Sequence, residues 1–191
     1  MNLPNQLTLL RIALSFLLII FLLIPGFGPK LAALIIFAAA SLTDLWDGKL
    51  ARRRKLVTDF GVLMDPIADK ILVLAAFVAF VQINVAPAWM VVLIATREFL
   101  ITGLRLFALG KGHVLPAEAA GKHKTVSQMV AISLVLIFLA GREAVSGKAD
   151  AVRWIAAGQT GIWWLMLLTV VLTLTSGISF LWKHRRIILT L

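Results

Sequence analysis

Six long apolar runs divide this chain, at residues 7–25, 31–47, 62–84, 88–109, 122–140 and 160–182. Each approaches the roughly 20 residues that an α-helix needs to cross the hydrocarbon core of a bilayer. Hydrophobic residues make up 61% of the chain, far more than a soluble globular domain carries. Turn-forming residues mark the breaks: Pro25, Gly26 and Gly28 separate the first pair of runs, and "NVAPAW" separates the third from the fourth. The expected fold is an all-α integral membrane protein of six transmembrane helices. Nothing is left over for a soluble domain, so residues 1–191 read as a single membrane-embedded domain.

The formal net charge of +10 does not point to nucleic acid, because the basic residues form short clusters between apolar runs and no basic face interleaved with aromatics. Anionic lipid head groups account for them better. The chain has no cysteine, which excludes disulfides, thiolate metal sites and a cysteine nucleophile. "PGFGPK" after the first run offers no small-residue cleavage site, so that run reads as a retained helix. Lys and Arg concentrate in the second and fourth connections (Lys49, Arg52, Arg53, Arg54, Lys55; Arg105, Lys111, Lys122, Lys124) and in the tail (Lys183, Arg185, Arg186). The other side holds Lys30, an uncharged loop and a mixed one in which Glu143 and Asp150 offset Arg142, Lys148 and Arg153. Both termini and the second connection should therefore face the cytoplasm.

Five of the nine acidic residues fall within "TDLWDGKLARRRKLVTDFGVLMDPIADK", residues 43–70. Asp44 and Asp47 are three apart and Asp65 and Asp69 four apart, so on helices each pair shares a face. If the second and third helices are antiparallel neighbours, the pairs meet at their cytoplasmic ends. Four carboxylates in so small a volume repel one another unless cations sit among them. Two hard ions such as Mg²⁺ or Mn²⁺, which take oxygen ligands, would serve, and such a pair is the usual device for displacement at phosphorus. A solvated loop in which the acids merely pair with "KLARRRK" would require neither the helical spacing nor the glycines. Gly48 and Gly61, with Ala51 one turn beyond Gly48, let a backbone or a ligand approach closely. Pro66 would kink the third helix or sit near its start.

Read as Asp44-x2-Asp47-Gly48-x2-Ala51-Arg52, eight residues, then Gly61-x3-Asp65-x3-Asp69, the stretch resembles the signature of the CDP-alcohol phosphotransferase family, with every position filled. The resemblance implies a six-helix membrane fold, usually a homodimer. Such an enzyme moves a substituted phosphate from a CDP-linked donor to a hydroxyl acceptor and releases CMP. It further implies that Asp44, Asp47 and Asp65 hold two divalent ions, that Asp69 is the general base and touches the second, and that Gly48, Ala51, Arg52 and Thr58 line the CDP-lipid site. Asn5, Thr8 and Arg11 would join that site. By the residues alone, Asn5 and Thr8 read as caps or as part of an interfacial helix before the first span, and Arg11 as a snorkelling anchor.

The acceptor must be read elsewhere. "NLPNQLTLLRI", "TREFLITGLR" and "GKHKTVSQ" are similar to segments of bacterial family members that use CDP-diacylglycerol and glycerol 3-phosphate, which implies the bacterial inner membrane. Charges within a span are costly unless paired or functional. Glu98, Thr102 and Arg105 share a stripe, with Arg97 about 100° away. Glu98 would orient a basic residue, Arg105 would point into the cavity and Lys122 and Lys124 would approach from the fifth helix. Such a cation cluster suits an acceptor bearing its own phosphate. Arg97 could instead simply satisfy Glu98, and Lys122 and Lys124 could be positive-inside anchors. Rival readings are another acceptor (serine, inositol phosphate or phosphatidylglycerol), a membrane prenyltransferase, and a divalent-cation transporter. The three histidines show no ligand spacing, and Trp89, Trp163 and Trp164 read as interface residues.

Overall fold

Each apolar run becomes a helix in the computed structural model. It describes residues 3–54, 59–113, 115–116, 119–147 and 151–188; within these, the side chains of residues 3–5, 44–54, 59–63, 65, 66, 69, 119–123 and 186 lie outside the description. The helices are α1 (Leu3–Leu23), α2 (Phe27–Arg54), α3 (Asp59–Gln82), α4 (Ala88–Gly110), α5 (Ala119–Val145) and α6 (Ala151–Ile188), with no strand among the described residues.

Local chemistry sets the ends. Gly26 turns the chain between α1 and α2 at φ +109°, a conformation open to glycine at no steric cost. Lys30 then reaches back, its Nζ donating to the carbonyls of Leu22 and, at 3.0 Å, Ile24, which caps the C-terminus of α1. At the end of α4, Gly112 takes φ +80°, its N–H bonding Leu109 O at 2.9 Å while His113 N bonds Ala108 O at 2.9 Å. Those two bonds form a Schellman motif. Within the helices Ser15, Ser41, Ser133 and Thr169 donate to carbonyls four residues back, at 2.8–2.9 Å. Their hydroxyls are thereby satisfied without water.

Side-chain pairs set the directions. Lys30 of α2 meets the end of α1, and Ser41 midway along α2 meets Met129 in the first half of α5. Phe138 late in α5 stacks on Trp154 at the start of α6, ring centroids 5.3 Å apart. The halves of α3, α4, α5 and α6 holding Lys70, Glu98, Lys124 and Thr173 share one level. The helices thus alternate up and down, and the end of α2, start of α3, end of α4, start of α5 and end of α6 gather at one polar end.

α1 packs broadly on α2 and α3, and α5 packs on α2 and α6, whereas α2 and α3 touch each other sparsely. Beneath the polar end the bundle is filled by Leu18, Leu22, Phe37, Leu72, Phe77, Phe80, Met90, Ile132, Leu136 and Met166, all essentially buried. Outward, Phe16, Ile35, Val92, Trp164 and Leu168 stand exposed, an apolar surface that suits lipid rather than water. Windows long and apolar enough to cross a membrane occur in α1 (Gln6–Leu23), α5 (Lys124–Val145) and α6 (Ala151–Arg185), with shorter apolar stretches at Phe27–Thr43 and Lys70–Gln82. This is an integral membrane protein. α4, interrupted by Arg97, Glu98 and Arg105, has no such window among the described residues.

The sixth helix differs from its sequence-based bounds. It begins at Ala151 rather than near residue 160, and so carries Arg153, expected in a loop. Gly158 does not break it, because the missing Cβ admits Phe138: an added Cβ would meet the ring at 2.1 Å. At 38 residues the helix is about 57 Å long, well beyond the roughly 30 Å of a bilayer core, and its excess places residues 176–188 at the polar end.

Candidate active site

The polar end is organised by one buried carboxylate. Glu98, on α4, is 1% exposed. Lys70 Nζ of α3 lies 2.9 Å from its Oε2, Lys124 Nζ of α5 bonds Oε1, and Arg97 Nη1 approaches Oε1 at 3.4 Å. Gln128, one turn beyond Lys124, donates from Nε2 to Oε1 at 3.2 Å and to Thr173 Oγ1 of α6 at 3.4 Å. A buried charge requires partners, and among the described side chains three cations surround this one anion, a formal excess of two positive charges within that group.

The cations extend along α4 and α6. Arg97 Nη2 donates to Ser176 Oγ at 3.0 Å, and its alkyl chain crosses Gly177 so closely that a Cβ there would lie 2.9 Å from Arg97 Cγ. Arg105 sits seven residues beyond Glu98, about 10 Å along the axis, with its guanidinium 4.9 Å from the centroid of Phe180. Phe180 also packs on His184, ring centroids 4.5 Å apart, and His184 Nδ1 lies 3.0 Å from Phe180 O. Leu115 folds the α4–α5 connection onto this cluster with Ile101 and Ala108.

α2 is helical through Asp44, Asp47, Gly48, Ala51 and Arg52, and α3 through Gly61, Asp65 and Asp69, running on past Pro66. The i, i+3 and i, i+4 spacings therefore lie on real helices. Asp69 directly precedes Lys70, so the second acidic couple is carried on the turn of α3 that grips Glu98 and the turn before it. The side chains of all these residues, and of Asn5 and Lys122, are outside the described set, as is Thr58 altogether. Among the described residues no group of three or more His, Asp or Glu side chains could hold a metal. The four aspartates offer only oxygen donors, the set that suits Mg²⁺ or Mn²⁺.

Thr8 and Arg11 lie on α1, 2% and 3% exposed. The snorkelling reading of Arg11 is thereby corrected: its side chain is inside the bundle, on the helix that bridges α2 and α3. His184, one of the three histidines without ligand spacing, is buried.

Sequence reasoning passed over Lys70, Gln128, Thr173, Ser176 and Phe180. Lys70 had a usable signal, since a carboxylate within α4 demands a cation from a neighbouring helix. The α6 residues had none, because their partners lie roughly 50 to 80 positions away.

A family model described as CDP-alcohol phosphatidyltransferase matches residues 1–175. The chain is similar to a Bacillus subtilis protein named CDP-diacylglycerol--glycerol-3-phosphate 3-phosphatidyltransferase, 45% identical over 168 residues that cover 81% of this chain and 87% of that one. A Rickettsia bellii protein of the same name is 38% identical over 162 residues, 83% and 89% of the two chains. A Mycobacterium tuberculosis protein named probable phosphatidylglycerophosphate synthase is 44% identical over 146 residues, 73% and 68% of the two.

Proposed function

The chain belongs to the CDP-alcohol phosphotransferase family, and on that premise we propose that it transfers the phosphatidyl group of CDP-diacylglycerol to glycerol 3-phosphate, giving phosphatidylglycerophosphate and CMP. The observation that carries the choice of acceptor is the cluster of three cations around the buried Glu98 among the described side chains: Lys124, itself buried, and the partly exposed Lys70 and Arg97. Serine brings no phosphate to such a site, whereas glycerol 3-phosphate brings a dianion. The names of the relatives in Bacillus subtilis and Rickettsia bellii point to the same pair of substrates. Membership of the family sets aside the prenyltransferase and transporter readings.

The chemistry is one displacement at phosphorus. A hydroxyl oxygen of glycerol 3-phosphate forms a bond to the phosphorus of the phosphatidyl group as the bond from that phosphorus to the bridging pyrophosphate oxygen breaks, and CMP leaves with the electron pair. Asp69 takes the hydroxyl proton, since an alcohol at neutral pH needs a carboxylate within hydrogen-bond reach. Asp44, Asp47, Asp65 and Asp69 would hold two Mg²⁺ or Mn²⁺ ions. Bound there, the ions supply positive charge to the pyrophosphate and the leaving group. Gly48 and Ala51 give the nucleotide a surface without side-chain bulk, and Arg52, Thr58, Asn5, Thr8 and Arg11 complete the donor site. Arg97, Arg105, Lys122 and Lys124 receive the acceptor phosphate.

Clustering of Lys and Arg at the polar end supports a site facing the cytoplasm in the inner membrane of a bacterium. There the acyl chains of the donor hold its head group at the mouth of the bundle while a soluble acceptor arrives from water. All six helices cross, α4 with its charges turned inward, and the family resemblance supports a homodimer. Purified protein given labelled CDP-diacylglycerol and each acceptor in turn tests the reading. CMP release with glycerol 3-phosphate is expected; release with serine and none with glycerol 3-phosphate would end it.

A further inference from the structure

Thr173, Ser176, Gly177, Phe180 and His184 follow one another at i, i+3, i+4, i+7 and i+11, a single stripe of α6. All but Thr173 lie beyond the 1–175 stretch matched to the family. Each of the first four touches a polar residue of the acceptor side. Thr173 meets Gln128, the residue that also bonds Glu98. Ser176 accepts from Arg97 at 3.0 Å. Gly177 provides the channel through which the Arg97 chain passes, with no room for a methyl group. Phe180, 2% exposed, lies under the Arg105 guanidinium. His184 packs against Phe180 from the following turn.

From this register we infer that the last part of α6, residues 173–184, is the positioning wall for the acceptor's phosphate: it sets the direction of Arg97 and Arg105 and so determines preference for a phosphorylated acceptor. The inference rests on the reading of Arg97 and Arg105 as phosphate-binding residues. Long arginine side chains carry large rotamer entropy, and a cation that must be ordered when substrate arrives binds it less tightly than one already held. The stripe does that ordering from outside the site. Ser176, Gly177 and Phe180 touch the arginines, Thr173 and His184 stand behind them, and none is placed against substrate. The ring of Phe180 orders Arg105 without competing for its N–H groups, because a cation–π contact uses the face of the guanidinium and not its edge. Gly177 acts by absence, since a side chain there would push Arg97 off its line to Ser176.

The test is a kinetic series on full-length protein in detergent micelles: Ser176→Ala, Gly177→Ala, Phe180→Leu and the ring-preserving Phe180→Tyr, with KM measured separately for CDP-diacylglycerol and glycerol 3-phosphate. Phe180→Leu should raise the acceptor KM about tenfold, the scale of a lost desolvated cation–π contact, and Gly177→Ala should raise it by a similar factor by displacing Arg97 from a charge-assisted contact, while the donor KM and kcat at saturating acceptor stay within about twofold. Ser176→Ala, which removes one hydroxyl and cannot unfold a helix, should raise it about threefold. Phe180→Tyr should restore it. Donor and acceptor KM rising together, or an acceptor KM unmoved in Ser176→Ala and Gly177→Ala, would overturn the inference while wild-type turnover with glycerol 3-phosphate left the proposed function standing. Wild-type protein inactive with glycerol 3-phosphate would instead remove the acceptor assignment and this inference with it.

Discussion

Lys70 Nζ and Glu98 Oε2 lie 2.9 Å apart across the α3–α4 interface, one residue beyond the carboxylate proposed to take the acceptor's proton. Because Glu98 also holds Lys124, this single anion ties the helix of the second acidic couple to the helix that opens toward the acceptor. Removing it would leave Lys70, Arg97 and Lys124 facing one another in a largely dry interior. Breaking a buried ion pair from one side costs about 3–5 kcal/mol. Glu98→Ala should therefore lower the unfolding midpoint of the detergent-solubilised protein sharply, and the double variant Lys70→Met with Glu98→Ala should lose less than the sum of its parts. Additive losses would show that the two residues do not act as a pair.

Asp69→Asn keeps the size and hydrogen-bonding shape of the side chain but cannot accept the hydroxyl proton. Turnover should fall by roughly 10²–10⁴-fold, the usual range for loss of a general base. Retention of CDP-diacylglycerol, measured by equilibrium binding, should remain. A variant that lost donor binding yet turned over its residual complex at the normal rate would move Asp69 out of the base role.

The helices were legible because apolar length is written locally: a run of about 20 residues between turn signals is a helix whatever it packs against. Lys70 was not, because a lysine at the mouth of an apolar run reads as an anchor until a carboxylate on another helix is known to face it. The early start of α6 was not legible either, because the ring of Phe138 that fills the missing Cβ of Gly158 belongs to another helix. Asp44, Asp47, Asp65 and Asp69 stood out because their spacing is a helix-surface pattern, readable without partners. The wall formed by Ser176 and Phe180 was invisible for the converse reason: a serine and a phenylalanine late in an apolar helix carry no pattern until Arg97 and Arg105 are placed against them.

Dialysis against excess chelator should abolish CMP release, and either Mg²⁺ or Mn²⁺ should restore it, as oxygen-only donors accept both ions. The same treatment of Asp44→Ala should leave no activity to restore. Full turnover after exhaustive chelation would remove the two-ion assignment, and with it the reason for four carboxylates on adjoining helices.

Arg105→Ala removes both a guanidinium and the alkyl stem that packs by Phe180. A charge-assisted hydrogen bond is worth about 1.5–3 kcal/mol, which corresponds to roughly ten- to hundredfold in the acceptor KM. The donor KM should change far less, since the pyrophosphate is assigned to the α2 and α3 side. Arg105→Lys should recover only part of the loss, as an ammonium cannot bond the phosphate in the fork geometry of a guanidinium. Equal rises in both KM values would place Arg105 between the two substrates.

At the opposite end of the bundle, Gly158→Ala separates stability from chemistry. The new methyl group would overlap the Phe138 ring, 2.1 Å from its nearest carbon, and overpacking of this kind typically costs about 1–3 kcal/mol. Trp154, stacked on the same ring, leaves it little room to turn aside. The unfolding midpoint should drop, while kcat and both KM values of the folded fraction stay as in the parent, because Phe138 lies far along α5 from Lys124. Adding Phe138→Leu should recover much of the midpoint by vacating the space that the methyl group needs. A double variant no more stable than Gly158→Ala alone would mean that the helix, not its contact with Phe138, requires glycine at this position.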